Sequence, residues 1–181
     1  MSKFGTLVLY DVENLKTPIN KEKGDHRIPR VDLLDVRESI RKALPSTHFN
    51  DIVFVKSYHK SDKRWLKNKR FFNFLKHKGF EVKNKITKKS KNIIVKDGKK
   101  SIYTYEECDM DADIVHDILT IGKEYSTIIL LSGDDDMYNS LKYVENTGTE
   151  IIVIAHIENM SEKMKKFETI FLHDLLDIKN K

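Results

Sequence analysis

The 181-residue chain has a single cysteine, Cys108, so neither an internal disulfide nor a cysteine-based zinc site can form within it. Proline is also scarce. Of the three present, Pro18 and Pro29 bound one polar stretch and Pro45 stands alone, which leaves the remaining sequence free of helix breakers. No apolar run approaches the roughly 20 residues of a membrane span. The opening Met1-Ser2-Lys3-Phe4 starts no apolar signal segment. Repeats, low-complexity tracts and linker-like stretches are missing too. These absences predict one domain over residues 1–181, no membrane partner and a cytoplasmic location.

Charge is what the chain has in quantity, and it is segregated. Between Lys56 and Lys100 stand seventeen lysines and arginines against three acids, Asp62, Glu81 and Asp97, a local balance of +14. The whole chain is +5, so the remainder carries −9. A basic surface beside acidic clusters suits a polyanion held near metal ions. The plainer explanation is that lysine solvates exposed faces, and the local density weighs against it.

Hydropathy patterning orders the rest. Phe4 to Tyr10 is an apolar run of strand length ending at Asp11, the pattern of a buried parallel strand. Lys16 to Pro29 reads as a long loop. Arg30 to Leu44 reads as a helix stopped by Pro45. Asp51 to Tyr58 is a second strand, and a helix capped by Ser61 or Asp62 runs to about Lys78. Phe80-Glu81-Val82 starts a third strand. Ile93 to Tyr105 alternates around Asp97-Gly98, a hairpin signal. Asp109 to Gly122 is a helix, Ser126 to Leu131 the fourth parallel strand, Met137 to Asn146 a helix and Glu150 to Ala155 the fifth strand. Met160 to Lys181 is a helical end with a short strand at Thr169-Ile170-Phe171. Strands alternating with helices predict a three-layer α/β/α domain with a mostly parallel central sheet of about five strands and an inserted β-hairpin.

Three acidic clusters fall at the ends of these elements: Asp11 with Glu13; Asp109, Asp111, Asp113 and Asp117; and Asp134-Asp135-Asp136 after Leu131-Ser132-Gly133. Capping explains one or two carboxylates at a strand-to-helix junction, but three adjacent ones repel one another. Helical phase puts Asp111 on the stripe of Ile114, Val115, Ile118 and Leu119, toward the core, where a carboxylate needs a partner or a cation. Asp113 and Asp117 fall about 200° and 240° further round, by the 3.6-residue period, and are expected in solvent. In a doubly wound sheet with the first strand central, Asp11 and Asp134 can be neighbours. Asp11, Asp111, Asp134 and Asp136 would then form an oxygen-only site suited to Mg²⁺ or Mn²⁺ rather than zinc.

Leu9-Tyr10-Asp11-Val12-Glu13-Asn14-Leu15 resembles the first motif of NYN domains, a branch of the PIN-like nucleases: apolar strand, Asp, two residues, Asn. Asp111 and Asp117 resemble the middle motif, and Leu131-Ser132-Gly133-Asp134-Asp135-Asp136-Met137 the third, with Met137 where Phe is usual. The resemblance implies a PIN-like fold and metal-dependent cleavage of RNA. Asp11, Asp111, Asp134 and Asp136 would be the metal acids and Asn14 a polar support. Members often carry a basic residue and a glycine before the middle Asp; here Cys108 and Asp109 stand there. The expected nucleic-acid surface is Lys63, Arg64, Lys67 and Arg70 on one helix face, with Lys88, Lys89, Lys91, Lys99 and Lys100 on or beside the hairpin. DNA in place of RNA and a homodimer both stay open. Two rival readings are a non-catalytic RNA-binding module and a haloacid-dehalogenase-type phosphatase. The latter also places Asp at the end of its first strand, but its next acid is normally Asp, where this chain has Glu13.

Overall fold

The computed structural model describes residues 3–15, 32–44, 48–96 and 99–177; along 88–107 it describes the backbone and the side chains of Lys88, Ser90 and Ile102. The Lys16–Pro29 loop and the Asp97-Gly98 turn lie outside the described residues.

β1 (Phe4–Asp11) has six of its eight residues buried, as a strand covered on both faces must. It runs straight into α1 (Val12–Leu15). Asp32 starts α2 (Leu33–Ala43), its side chain accepting the Leu34 amide at 2.9 Å. Then come β2 (Phe49–Ser57), α3 (Trp65–His77) and β3 (Glu81–Ile86). β4 (Lys88–Lys96) and β5 (Lys99–Glu107) form a separate antiparallel pair, with Lys96 opposite Lys99. α4 (Asp111–Thr120), β6 (Tyr125–Leu131), a 3₁₀ turn (Asp135–Met137), α5 (Tyr138–Glu145), β7 (Glu150–Ala155), β8 (Glu168–Phe171) and α6 (Leu172–Asp177) complete the chain.

The main sheet has the order β3-β2-β1-β6-β7-β8, and every pairing in it is parallel. Side-chain alternation splits its residues between two cores. Leu7, Leu9, Ile128 and Leu130 pack with Ile114 and Ile118 of α4 and Leu141 and Val144 of α5. Val8, Tyr10, Ile129 and Leu131 pack on the other face with Val36 and Ile40 of α2, Leu75 of α3 and Leu175 of α6. The architecture is therefore the three-layer α/β/α sandwich. Among the described residues no helix is long and apolar enough to cross a membrane.

Two details differ from expectation. The sheet has six strands where about five were expected, because the short strand read at Thr169-Ile170-Phe171, observed as Glu168–Phe171, joins β7 in register from Ile152 to Ala155. Residues 160–177, the described part of the expected helical end, are not one helix. Met160, Met164 and Phe167 are buried at helix-like spacing, but the Ser161 amide donates to the Gly133 carbonyl at 3.0 Å and the chain proceeds through a 3₁₀ turn into β8. Pairing with an open sheet edge outweighs local helical preference here.

Candidate metal centre

β1 and β6 are the two central strands, and the chain leaves them toward opposite sides of the sheet. That makes the carboxyl ends of β1 and β6 a topological switch point, where open α/β sheets hold ligands. The register sets Tyr10 against Leu131, so Asp11 and Ser132 emerge side by side.

Asp11 is 7% exposed. Its Oδ1 accepts the amides of Glu13 at 3.1 Å and Asn14 at 3.2 Å, and its Oδ2 accepts the Ser132 hydroxyl at 3.1 Å. Burial raises the Asp11 pKa above the usual carboxylate range, against the pull of those three donors. Asn14 joins three loops. Its Oδ1 accepts the Gly133 amide and its carbonyl accepts Asn159 Nδ2, both at 3.1 Å. Gly133 permits that closure, because a Cβ there would lie 2.2 Å from the Asn159 carbonyl oxygen.

Beyond Gly133 the three carboxylates part company. Asp134 caps the 3₁₀ turn, accepting the Asp136 amide at 3.3 Å. Asp135 pairs with Lys163 at 2.9 Å. Asp136 is exposed and turns to Asp134 and to Asp111, the first residue of α4. Asp111, Asp134 and Asp136 each offer a carboxylate oxygen within 4.8 Å of the other two. The Asp111 carboxyl is pushed up to about 6, first by burial and then by the charges of Asp11, Asp134, Asp109 and Asp136. Among the described residues no lysine or arginine pairs with Asp111, Asp134 or Asp136. A Mg²⁺ ion binds oxygen at about 2.0–2.1 Å, so opposite ligands stand roughly 4.2 Å apart. The oxygen-only donor set and its spacing fit such an ion. Asp11 lies beside this trio, its oxygens already engaged by Ser132 and the α1 amides.

The α4 phase differs from expectation. Its buried face is Ile114, Asp117 and Ile118, while Leu119 is 39% exposed. The stripe is rotated, so Asp111 sits at its margin, half-buried, facing the cleft. Asp117 is not in solvent. It is 3% exposed and takes the Lys83 ammonium at 2.6 and 2.7 Å. Asp113, half-exposed, pairs with Lys85 at 2.9 Å. Both cations come from β3 across the helix, a neighbour that phase counting along α4 does not see.

The expected basic helix face also changes. Lys63 and Arg64 precede α3, and Arg64 is committed locally: its guanidinium grips Asp62 at 2.9 and 2.7 Å and lies 3.8 Å over the Tyr58 ring. Lys67 and Arg70 are exposed on α3, and Lys88 is exposed at the start of β4. Lys89, Lys91, Lys99 and Lys100 are placed by their backbone on β4 and β5; their side chains lie outside the described ones.

Sequence reasoning missed several residues at this edge. Lys56 of β2 pairs with Glu13 at 2.6 Å, and Glu158 and Asn159 arrive on the β7–β8 connection. No local pattern marks any of them. Glu13, Glu158 and Asn159, with Asp11, Asn14 and the acidic trio's Asp111 and Asp134, surround an open cleft of about 620 Å³. The NYN domain, a family within the PIN-like nuclease superfamily, matches residues 5–175, nearly the whole chain. A comparison with curated proteins finds no significant match.

Proposed function

The chain belongs to the NYN domain family, and on that premise we propose that it is a metal-dependent endoribonuclease. In this reading it hydrolyses RNA phosphodiester bonds with Mg²⁺ or Mn²⁺ held by Asp111, Asp134 and Asp136 beside Asp11. One observation carries it: three carboxylates share a 4.8 Å cluster, and among the described residues none of the three is in a direct ion pair. Uncompensated carboxylates repel a phosphate unless a cation intervenes.

A divalent ion there would polarise a phosphoryl oxygen and lower the pKa of a bound water. The chain's own part is positional. Asp111 is fixed by the start of α4, Asp134 by its turn, and Asp11 by Ser132 and the α1 amides. Asn14 clamps the Gly133 and Asn159 loops, which sets the height of Asp134 above the sheet. Lys56, paired with Glu13 at the rim, is a cation within reach of a substrate phosphate approaching the cleft.

The test is cleavage of a labelled single-stranded RNA with Mn²⁺, alongside a DNA of the same sequence, and a thermal melt of every variant. Asp11→Asn and Asp134→Asn should lose at least roughly 10–100-fold in rate, since even outer partners of a metal site cost that much. Their melting should hold or rise slightly, because each change relieves like-charge repulsion. Asp113→Asn is the control: its half-exposed pair with Lys85 is worth about 0–1 kcal/mol and lies off the cluster. Equal cleavage by all three variants would refute the nuclease reading and leave a binding role. Unfolding of Asp11→Asn and Asp134→Asn would make the carboxylates structural.

A further inference from the structure

A second cleft opens on the same sheet edge, between the β2–α3 loop and the end of β3. Its volume is about 730 Å³, and His59, Ser61, Lys63, Arg64, Ile86 and Thr87 line it with Asp62. We propose that it is a subsite for single-stranded RNA, holding a nucleotide that flanks the scissile phosphate. The proposal rests on the polynucleotide reading above and assigns the strand its path.

Continuity with the acidic cleft is the first argument. β2 lies next to β1, and both end at this edge. Glu13 lines the acidic cleft and pairs with Lys56 on β2. Two residues further on, Tyr58 carries the Arg64 guanidinium, which lines the second cleft. Neighbouring strands stand about 4.8 Å apart, so the two clefts lie within a few nucleotides' reach along one strand.

The lining chemistry is the second argument. The acid in this cleft, Asp62, is neutralised by Arg64 through two short contacts, so the net charge of the lining is that of Lys63. Lys63 is exposed beside it. Ile86, 53% exposed at the strand end, offers an apolar surface for a base face, and Thr87 continues it. His59 and Ser61 meet at 2.9 Å and place ring nitrogen and hydroxyl where a base edge or a 2′-hydroxyl can be read. Arg64 is pre-ordered by Asp62 and Tyr58, so little side-chain freedom is lost on binding. The acidic cleft repels phosphate without an ion, whereas this one attracts it without one. The wider segment agrees, since residues 56–100 carry the local +14.

That contrast sets the experiment. Binding of a labelled 12-nucleotide single-stranded RNA to the full chain is read by fluorescence anisotropy in EDTA, where cleavage and the acidic site are both silent. Lys63→Ala and Ile86→Ala should each weaken binding about five- to tenfold, roughly 1–1.4 kcal/mol. Both sites are exposed, and a melt verifies the fold. Independently, a 4-thiouridine-bearing RNA should crosslink within residues 58–64 or 86–88. Unchanged affinity in both variants, crosslinks only elsewhere, or stronger competition by a phosphoserine peptide than by unlabelled RNA would each overturn the subsite. If the wild type cleaves RNA while both variants bind normally, the subsite fails alone. If the variants lose binding while the wild type cleaves nothing, the cleft stands as an RNA-binding subsite with no scissile phosphate beside it, and the nuclease reading fails.

Discussion

Asp111 is where burial and like charge act most strongly on one side chain. Its carboxyl titrates near 6 in the folded protein, against an ordinary value of 3.8. The folded state therefore binds a proton more readily than the unfolded chain between those two values. Stability from this proton is complete below about pH 4 and lost as pH rises through 6. The full shift would amount to about 3 kcal/mol, but a half-exposed group is screened by solvent, and about 1 kcal/mol is the fairer figure. About half of this is present at pH 5, so in metal-free protein the melting temperature should be roughly 1–2 °C higher at pH 5 than at pH 7.5 from this group. Asp111→Asn should remove the difference, and Mn²⁺ at pH 7.5 should restore the lost stability by mass action. A metal-free melt indifferent to both pH and Asp111→Asn would contradict the crowding of Asp111 by the neighbouring carboxylates. Asp11, Asp134 and Asp136 are visible in the sequence because acids that end buried apolar runs must emerge at a sheet edge. Glu13–Lys56 and Glu158 are not visible, because only the β1–β2 register and the β7–β8 connection bring them there.

At the scale of the element, α4 and β3 depend on each other. β3 is the outer strand of the sheet, and two of its lysines reach α4: Lys83 to the buried Asp117 and Lys85 to Asp113 and to the Asp109 carbonyl. The two contacts differ in worth. Lys85 and Asp113 are both nearly half-exposed, so their pair contributes about 0–1 kcal/mol. Lys83→Met would leave the Asp117 carboxylate buried without its cation. Such losses cost 3–5 kcal/mol in a fully dry site, and about 2–3 kcal/mol here because Lys83 is a third exposed. Lys83→Met should lower the melting temperature by roughly 5–10 °C and Lys85→Met by no more than about 4 °C. Equal effects would show the Asp117 pair to be ordinary surface electrostatics. The helix itself was legible from its apolar period. The direction of its buried face was not, because Ile114 and Ile118 are shared by any nearby phase and Asp117 lies inward only where a β3 lysine meets it.

The order of elements in the whole molecule was legible, since alternating strands and helices admit few arrangements and the first strand's unbroken apolar run demands a central place. The short strand at Thr169-Ile170-Phe171 was legible too, but its pairing with β7 and the exchange of β3 and α4 charges were not, being consequences of which edge remained open. Charge segregation belongs to this scale too, and the fold gives it a direction. Lys67 and Arg70 are exposed one turn apart on α3, and Phe71 and Phe74, 37% and 45% exposed, continue the same stripe. Cations interleaved with open aromatic rings form a surface that takes phosphates and stacks bases without reading sequence. Lys88, exposed at the start of β4, is a further cation of the same basic segment. If RNA lies along this face, each phosphate neutralised releases condensed counterions, and the logarithm of affinity falls with the logarithm of salt by about 0.7 per phosphate on a single strand. Replacing Lys67, Arg70 and Lys88 together by alanine should flatten that slope by roughly two, measured by anisotropy at several salt concentrations. Sequence preference should stay as it was, because phosphate contacts position the strand without specifying it. Phe74→Ala should instead weaken binding by about 1–3 kcal/mol at every salt concentration, leaving the slope alone, since stacking releases no ions. A triple variant whose slope equals that of the wild type would mean that Lys67, Arg70 and Lys88 only solvate the surface.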